Sequence, residues 1–166
     1  MKTFYLIVLL TVAISTNAIP QNFAHVHTAK LMTQMPAYKL AQLEMEKFTL
    51  AKEKELRDME QVLQLKISKY EQSTEEVTEA LRLQIEKEMM EMQNSLLQFK
   101  KSAEKKIEEK EQELTDPIYD KVGKAIIKVA NEQGYDYVID ESIGSLIVVP
   151  KSRDLMALVK RELGIL

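Results

Sequence analysis

The two histidines of the chain, His25 and His27, are the residues best placed by type and spacing to do chemistry. They stand two apart in "NFAHVHT" (residues 22–28), whose alternation predicts a short strand. Ala24 and Val26 then fall on one face, with Phe23, His25 and His27 on the other. Two imidazoles on one strand face offer half of a tetrahedral zinc site, which a neighbouring chain would complete. No thiol or acidic partner is evident beside them, so the plainer reading is two half-exposed strand residues near a subunit boundary. Other chemistry has less to work with. Cysteine is absent, so thiol nucleophiles are excluded, and a Ser–His arrangement would have to use this one strand. Phosphate cradles need clustered glycines, whereas Gly123, Gly134, Gly144 and Gly164 are scattered. Carboxylates are abundant, but on an exposed helical face they sit in water, where nothing raises a pKa for acid–base work. The expectation is no enzyme, no cofactor and no metal. Function must then lie in binding.

The residues that suggest binding are apolar. Leu83, Met90 and Leu97 are spaced by seven and lie away from the main helical stripe; Leu43, Leu50 and Leu65 are similarly placed earlier in the chain. Scattered exposed leucines are common on soluble proteins and often mean nothing. A second stripe, however, would offer an unfolded polypeptide many weak apolar contacts, with methionine supplying an adaptable surface. Both readings stand at this point.

These positions are carried by long helices. From Pro36 to Gln72, Met45, Leu56 and Ile67 are 11 apart, as are Phe48, Met59 and Tyr70, and Val62 and Leu63 extend the stripe. Pro36 suits a helix start, where its missing N–H is not needed. Ser73, with Glu76 three residues later, has the form of a capping box opening a second helix. There the same spacing recurs: Leu81, Met92, Ala103 and Leu114, and Ile85, Leu96, Ile107 and Ile118. An 11-residue period advances about 3.67 residues per turn, so the stripe runs nearly straight. Two such stripes joined by a short turn predict an antiparallel hairpin. Folding at Ser73 sets Pro36 level with about Lys110. The mixed charges of "KKSAEKKIEEKEQE", Lys100 to Glu113, read as a solvated helical surface. Pro117 should kink or restart the helix.

Beyond Gly134 the pattern changes. "YDYVID" alternates as a strand, "SIGS" is a turn, "LIVVP" is a second strand, and a short helix begins near Asp154. With the strand at residues 22–28, these form a β-containing body at residues 19–35 and 112–166, and residues 36–111 form the hairpin. Val26, Tyr135, Tyr137, Val138, Ile139, Leu146, Ile147 and Val148 are its candidate oligomerisation residues. A body of roughly 70 residues, with neither disulfide nor metal, rarely stabilises itself alone. Copies are expected to close their sheets together.

The first 18 residues carry one lysine, an apolar run from Phe4 to Ile14, and small residues at Thr16 and Ala18, as a secretory signal peptide cleaved after Ala18 would. The run is short for a membrane anchor. The formal net charge is −3. Removal of Lys2 leaves 22 basic against 26 acidic residues, or −4, which is not the footprint of a nucleic-acid binder.

The segments "PIYDKVGKAIIKVANEQGYDYVID", "IVV" and "DLMALVKRELGI" resemble the C-terminal signature of the Skp (OmpH-like) periplasmic chaperones. The first strand leading into "MPAYKLAQLEMEKF" is similar to that family's opening segment. The resemblance implies a homotrimer with a β-rich body and three helical tentacles around a cavity. It also implies ATP-independent holding of unfolded outer-membrane proteins in the periplasm, with no stable membrane anchor. Two features depart from the family. The chain is acidic, with Glu71, Glu75, Glu76 and Glu79 near the tip beside Lys69 and Arg82, so a basic tip that engages membrane is not expected. Met156 stands where a threonine is expected after "DL", altering a helix cap. The expected fold class is α+β, mostly α: a long two-helix hairpin projecting from a small trimerisation body. The rival reading is a structural or adaptor coiled coil that binds one folded partner.

Overall fold

The computed structural model describes residues 22–72, 78–144 and 150–165. In chain order the elements are β1 (Phe23–Val26), α1 (Thr28–Gln34), α2 (Pro36–Gln72), α3 (Glu79–Gln133), β2 (Tyr137–Asp140), two 3₁₀ turns (Glu141–Ile143 and Lys151–Arg153) and α4 (Met156–Leu163). The class is α+β and mostly helical. The chain divides into two units, residues 32–121 and residues 1–31 with 122–166.

The first unit is an antiparallel helical hairpin. α2 starts at Pro36 and runs 37 residues, as the 11-residue spacing predicts. Met45, Phe48, Leu56, Met59, Leu63, Ile67 and Tyr70 form its half-buried seam, opposite Ile85, Met92, Leu96, Ala103, Ile107 and Leu114 of α3. Two expected stripe members lie outside the seam: Val62 is 55% exposed and Leu81 45%. Two helices cannot enclose a side chain between them, so among the described residues full burial is confined to Met32, Met35, Ala41 and Ile118, away from the turn.

The register differs from the expectation. Lys110 pairs with Glu44 at 2.8 Å and does not lie level with Pro36, while Lys66 pairs with Glu88. Both pairs are symmetric about position 77, and Tyr70 donating to Glu86 at 2.9 Å agrees. The reason is the width of the turn: α2 ends at Gln72 and α3 begins only at Glu79. Thr78 provides the cap, its Oγ1 accepting from the Leu81 amide at 3.4 Å. Ser73 and Glu76, the expected capping box, lie outside the described residues. Lys110 is also no part of a solvated surface. It sits in the seam with Lys52 and Lys66, and Lys52 lies 5.7 Å from the Phe48 ring centroid and 6.0 Å from that of Phe99.

Pro117 does not restart the helix. α3 passes through it unbroken for 55 residues. Proline removes one helical hydrogen bond, but Pro117 faces solvent, where water can satisfy the freed carbonyl.

The second unit contains a fully buried core. Ala24 and Val26 of β1, Leu31 of α1, Val122, Ala125 and Val129 of α3, and Leu155, Val159 and Leu163 are all buried. The α3 and α4 members recur at three- and four-residue spacing, one face of each helix. α3 ends at Gly134, whose φ of 72° is a left-handed conformation that glycine adopts without strain. Tyr135 N–H then bonds back to Ala130 at 2.9 Å, closing the cap. The Asn22 side chain donates to the Gly134 carbonyl at 2.8 Å, and Asp136 N–H donates to the Asn22 carbonyl at 2.8 Å. β2 thereby enters parallel to β1, with Phe23 opposite Tyr137 and Val26 opposite Asp140. On its other side β1 bridges to Asp154.

Candidate functional site

The six apolar residues singled out for binding all reach solvent. Leu43, Leu50 and Leu65 of α2 are 53%, 52% and 54% exposed, and Leu83, Met90 and Leu97 of α3 are 59%, 63% and 53% exposed. At about 100° per residue, each trio projects broadly away from the seam of its own helix. The seam claims the other side of each helix. The result is two rows, one on each arm, rather than one stripe. Leu40, 66% exposed, extends the α2 row; it stands three residues before Leu43, a same-face helical spacing that was overlooked.

Shallow grooves accompany the rows. One of about 430 Å³ is lined by Tyr38, Ala41, Met45, Leu50 and Leu114 with polar neighbours. Leu50 thus borders a concave apolar patch. Another, of about 580 Å³, lies nearer the turn and contains Met59, Val62 and Met92 beside Lys66 and Glu88. A third, of about 610 Å³, is almost wholly charged, with Glu44, Lys47, Lys106, Glu109, Lys110 and Glu113 around Phe48. None is an enclosed pocket with convergent catalytic groups. Lys110 is held above its ordinary pKa by Glu44 and then Glu113, and Glu88 below its own by Lys66 and Gln84, as ion pairing requires.

The histidines behave differently from the expectation. β1 ends at Val26, so His27 leaves the strand and its Nδ1 accepts from the Lys30 amide at 3.4 Å. His25 is not half-exposed but only 3% accessible. An acidic partner does exist: Nδ1 meets Glu141, and Nε2 meets the Pro150 carbonyl at 2.8 Å. Both come from segments more than 100 residues away, which local spacing cannot reveal. Among the described residues, no cluster of three or more His, Asp or Glu side chains could hold a metal ion.

Asp140 was also missed. Its carboxylate accepts from the Thr28 amide at 3.1 Å, from the Thr28 hydroxyl, and from the Ser142 amide at 2.9 Å. Burial alone would raise its pKa, but the Thr28 and Ser142 donors outweigh that and hold it below the ordinary aspartate value. One signal was available: Asp140 two residues before Ser142 is the spacing of an Asx turn. Its capping of α1 across the unit was not. Near Met156 the cap is the Asp154 carboxylate, accepting from the Met156 amide at 2.8 Å. The residue at 156 therefore does not supply it.

Of the candidate oligomerisation residues, Val26 is buried, Tyr135, Val138 and Ile139 are half-buried, and Tyr137 is 61% exposed. Leu146, Ile147 and Val148 lie outside the described residues, as do residues 1–21, where a signal peptide is expected. Among the described residues, no helix is long and apolar enough to cross a membrane.

No curated protein matches the chain. A solved structure of a candidate OmpH-like outer membrane chaperone from Caulobacter crescentus superposes with a TM-score of 0.72 at 13% identity. The match covers 89% of this chain and 85% of that one, so the fold is shared. The profile of the family described as Outer membrane protein (OmpH-like) matches residues 22–163, and the chain therefore belongs to the OmpH-like family.

Proposed function

We propose that this protein is an ATP-independent periplasmic holdase. It assembles as a homotrimer and captures unfolded outer-membrane proteins between helical prongs, keeping them from aggregating. The observation that carries this reading is the pair of exposed apolar rows on the hairpin, in a chain of this family. Covering one half-exposed leucine gains on the order of 1 kcal/mol, so no single residue can grip a ligand. Six or more acting together can, without requiring one bound conformation. That suits a client with no structure of its own. Capture needs no chemical energy. Release follows when the client's final fold or insertion is more favourable.

Assembly is supported by the second unit. Ile127, Tyr137 and Ile143 are 63%, 61% and 77% exposed, apolar surface that a neighbouring copy would cover. The described residues also carry a groove of about 400 Å³ lined by Ile126, Ile127, Tyr135 and Val138.

The test has two readings. Native mass of the mature chain should be that of three copies. Light scattering should stay low when a urea-unfolded barrel protein is diluted into it, for several unrelated barrels. A monomeric mass without protection rejects the proposal, and protection of one folded ligand alone favours an adaptor.

A further inference from the structure

His25 is the one buried polar or charged residue among the described residues, and its ring is held at both ends. Nε2 lies 2.8 Å from the Pro150 carbonyl, which can only accept. Nδ1 faces Glu141, whose carboxylate also only accepts. An imidazole that donates from both nitrogens carries a positive charge. A buried charge persists only when paired, and Glu141 supplies the pair. The backbone adds two more ties: His25 lies opposite Ile139 in the sheet, and its carbonyl accepts from the Leu155 amide at 3.0 Å.

We propose that protonated His25 is a pH-operated clasp that holds Glu141 and Pro150 against β1 and lets go when the ring loses its proton. Neither the hairpin nor client binding is needed for this device, which belongs to the fold of the second unit.

The surrounding charges favour the clasp. Burial opposes protonation, but the Pro150 carbonyl, the Glu141 carboxylate and the nearby Asp154 outweigh it and hold His25 above its ordinary pKa. Other ionisable groups close by in sequence and fold are engaged elsewhere or point to water. Arg153 stacks 4.6 Å from the Phe23 ring centroid and reaches its carbonyl at 3.5 Å. Asp140 is taken up by Thr28 and Ser142, His27 by the Lys30 amide, and Lys151 is solvent-exposed. Because folding raises the proton affinity of His25, its contribution is complete below the ordinary histidine pKa and disappears as pH rises through the folded value. Mild alkalinity, not acid, opens the clasp.

Imidazole ¹⁵N spectra of the mature chain test this directly. The chain has two histidines, so His27→Gln leaves His25 as the only imidazole. At about pH 6 both ring nitrogens of His25 should carry protons, and the charged form should persist above the pH expected of a free imidazole. Glu141→Gln should move the titration midpoint downward, and exchange of the Leu155 amide should speed up as the ring deprotonates. His25→Gln should remove the loss of melting temperature that accompanies rising pH. A neutral ring in one tautomer at about pH 6 overturns the proposal. So does a midpoint that Glu141→Gln leaves in place, or a pH slope unchanged in His25→Gln. Should His25→Gln fail to fold, the Glu141→Gln titration decides alone, because it reads the native ring.

Discussion

The hairpin and the strand-containing unit spend their apolar residues in opposite ways. In the strand-containing unit, β1, α1, α3 and α4 each commit apolar side chains to one core, and Leu31 and Val159 are wholly inaccessible. Its polar groups are bonded across more than 100 residues of sequence, as Asn22 to Gly134 and Thr28 to Asp140 illustrate. Among the described residues between Leu43 and Leu114 none is buried, and leucines stand in water on both arms, joined by Met90 on α3. Its specific contacts are ion pairs in a half-wet seam, Lys110 with Glu44 and Lys66 with Glu88. The contrast separates two uses of hydrophobicity. A buried side chain has already given up its transfer energy to the fold. An exposed one still has it available for a ligand.

Four experiments press on that contrast. Leu155→Ala, at 2% exposure, should cost about 2–5 kcal/mol in urea unfolding, because it opens a cavity in a closed core. Equal loss from Leu63→Ala in the hairpin seam would erase the distinction, since a half-buried leucine should cost only about 1 kcal/mol.

Asp140→Ala should remove about 1–2 kcal/mol by uncapping α1 and the turn at Ser142. Asp140 titrates below its ordinary value when folded, so its contribution is complete above the unfolded pKa and lost as pH falls through the folded one. Thermal melts taken downward from about pH 5 should therefore fall more steeply for the wild type than for Asp140→Asn.

Lys66→Ala should weaken the hairpin slightly, and added salt should erase the difference from wild type in helical melting, as expected of a solvent-screened pair. The smallest effect on stability belongs to Leu83→Ser with Met90→Ser and Leu97→Ser. Those positions face water, so the melting profile should barely move while suppression of barrel-protein aggregation drops. Unchanged suppression would remove the α3 row from the binding surface.

Much of the hairpin was legible because its information is local. Pro36 marks the start of α2 and the 11-residue spacing gives most of its seam, since a helix repeats the geometry of its own sequence every few turns. Its register was not legible. Ser73 and Glu76 suggested a turn some four residues early, and it is cross-helix contacts, Glu44–Lys110, Lys66–Glu88 and Tyr70–Glu86, that place the arms against each other. Val62 continued the pattern yet stayed outside, because exposure depends on where the second helix passes.

The strand-containing unit divides in the same way. Gly134 announced the end of a helix and "YDYVID" a strand, of which Tyr137–Asp140 pairs, both from residue types a few positions apart. Helix α1 went unrecognised because its cap, Asp140, lies 112 positions downstream. His25 was placed on the open face of β1 by strict alternation, whereas Glu141 and Pro150 close that face.

By itself, then, the sequence determined the two long helices, the strands at residues 23–26 and 137–140 and the apolar surplus on the arms, because these follow from spacing along one chain. Tertiary structure alone decided the hairpin register, the burial and pairing of His25, and the role of Asp140. Each of these is a meeting of segments far apart in sequence, and no local period encodes which distant group arrives.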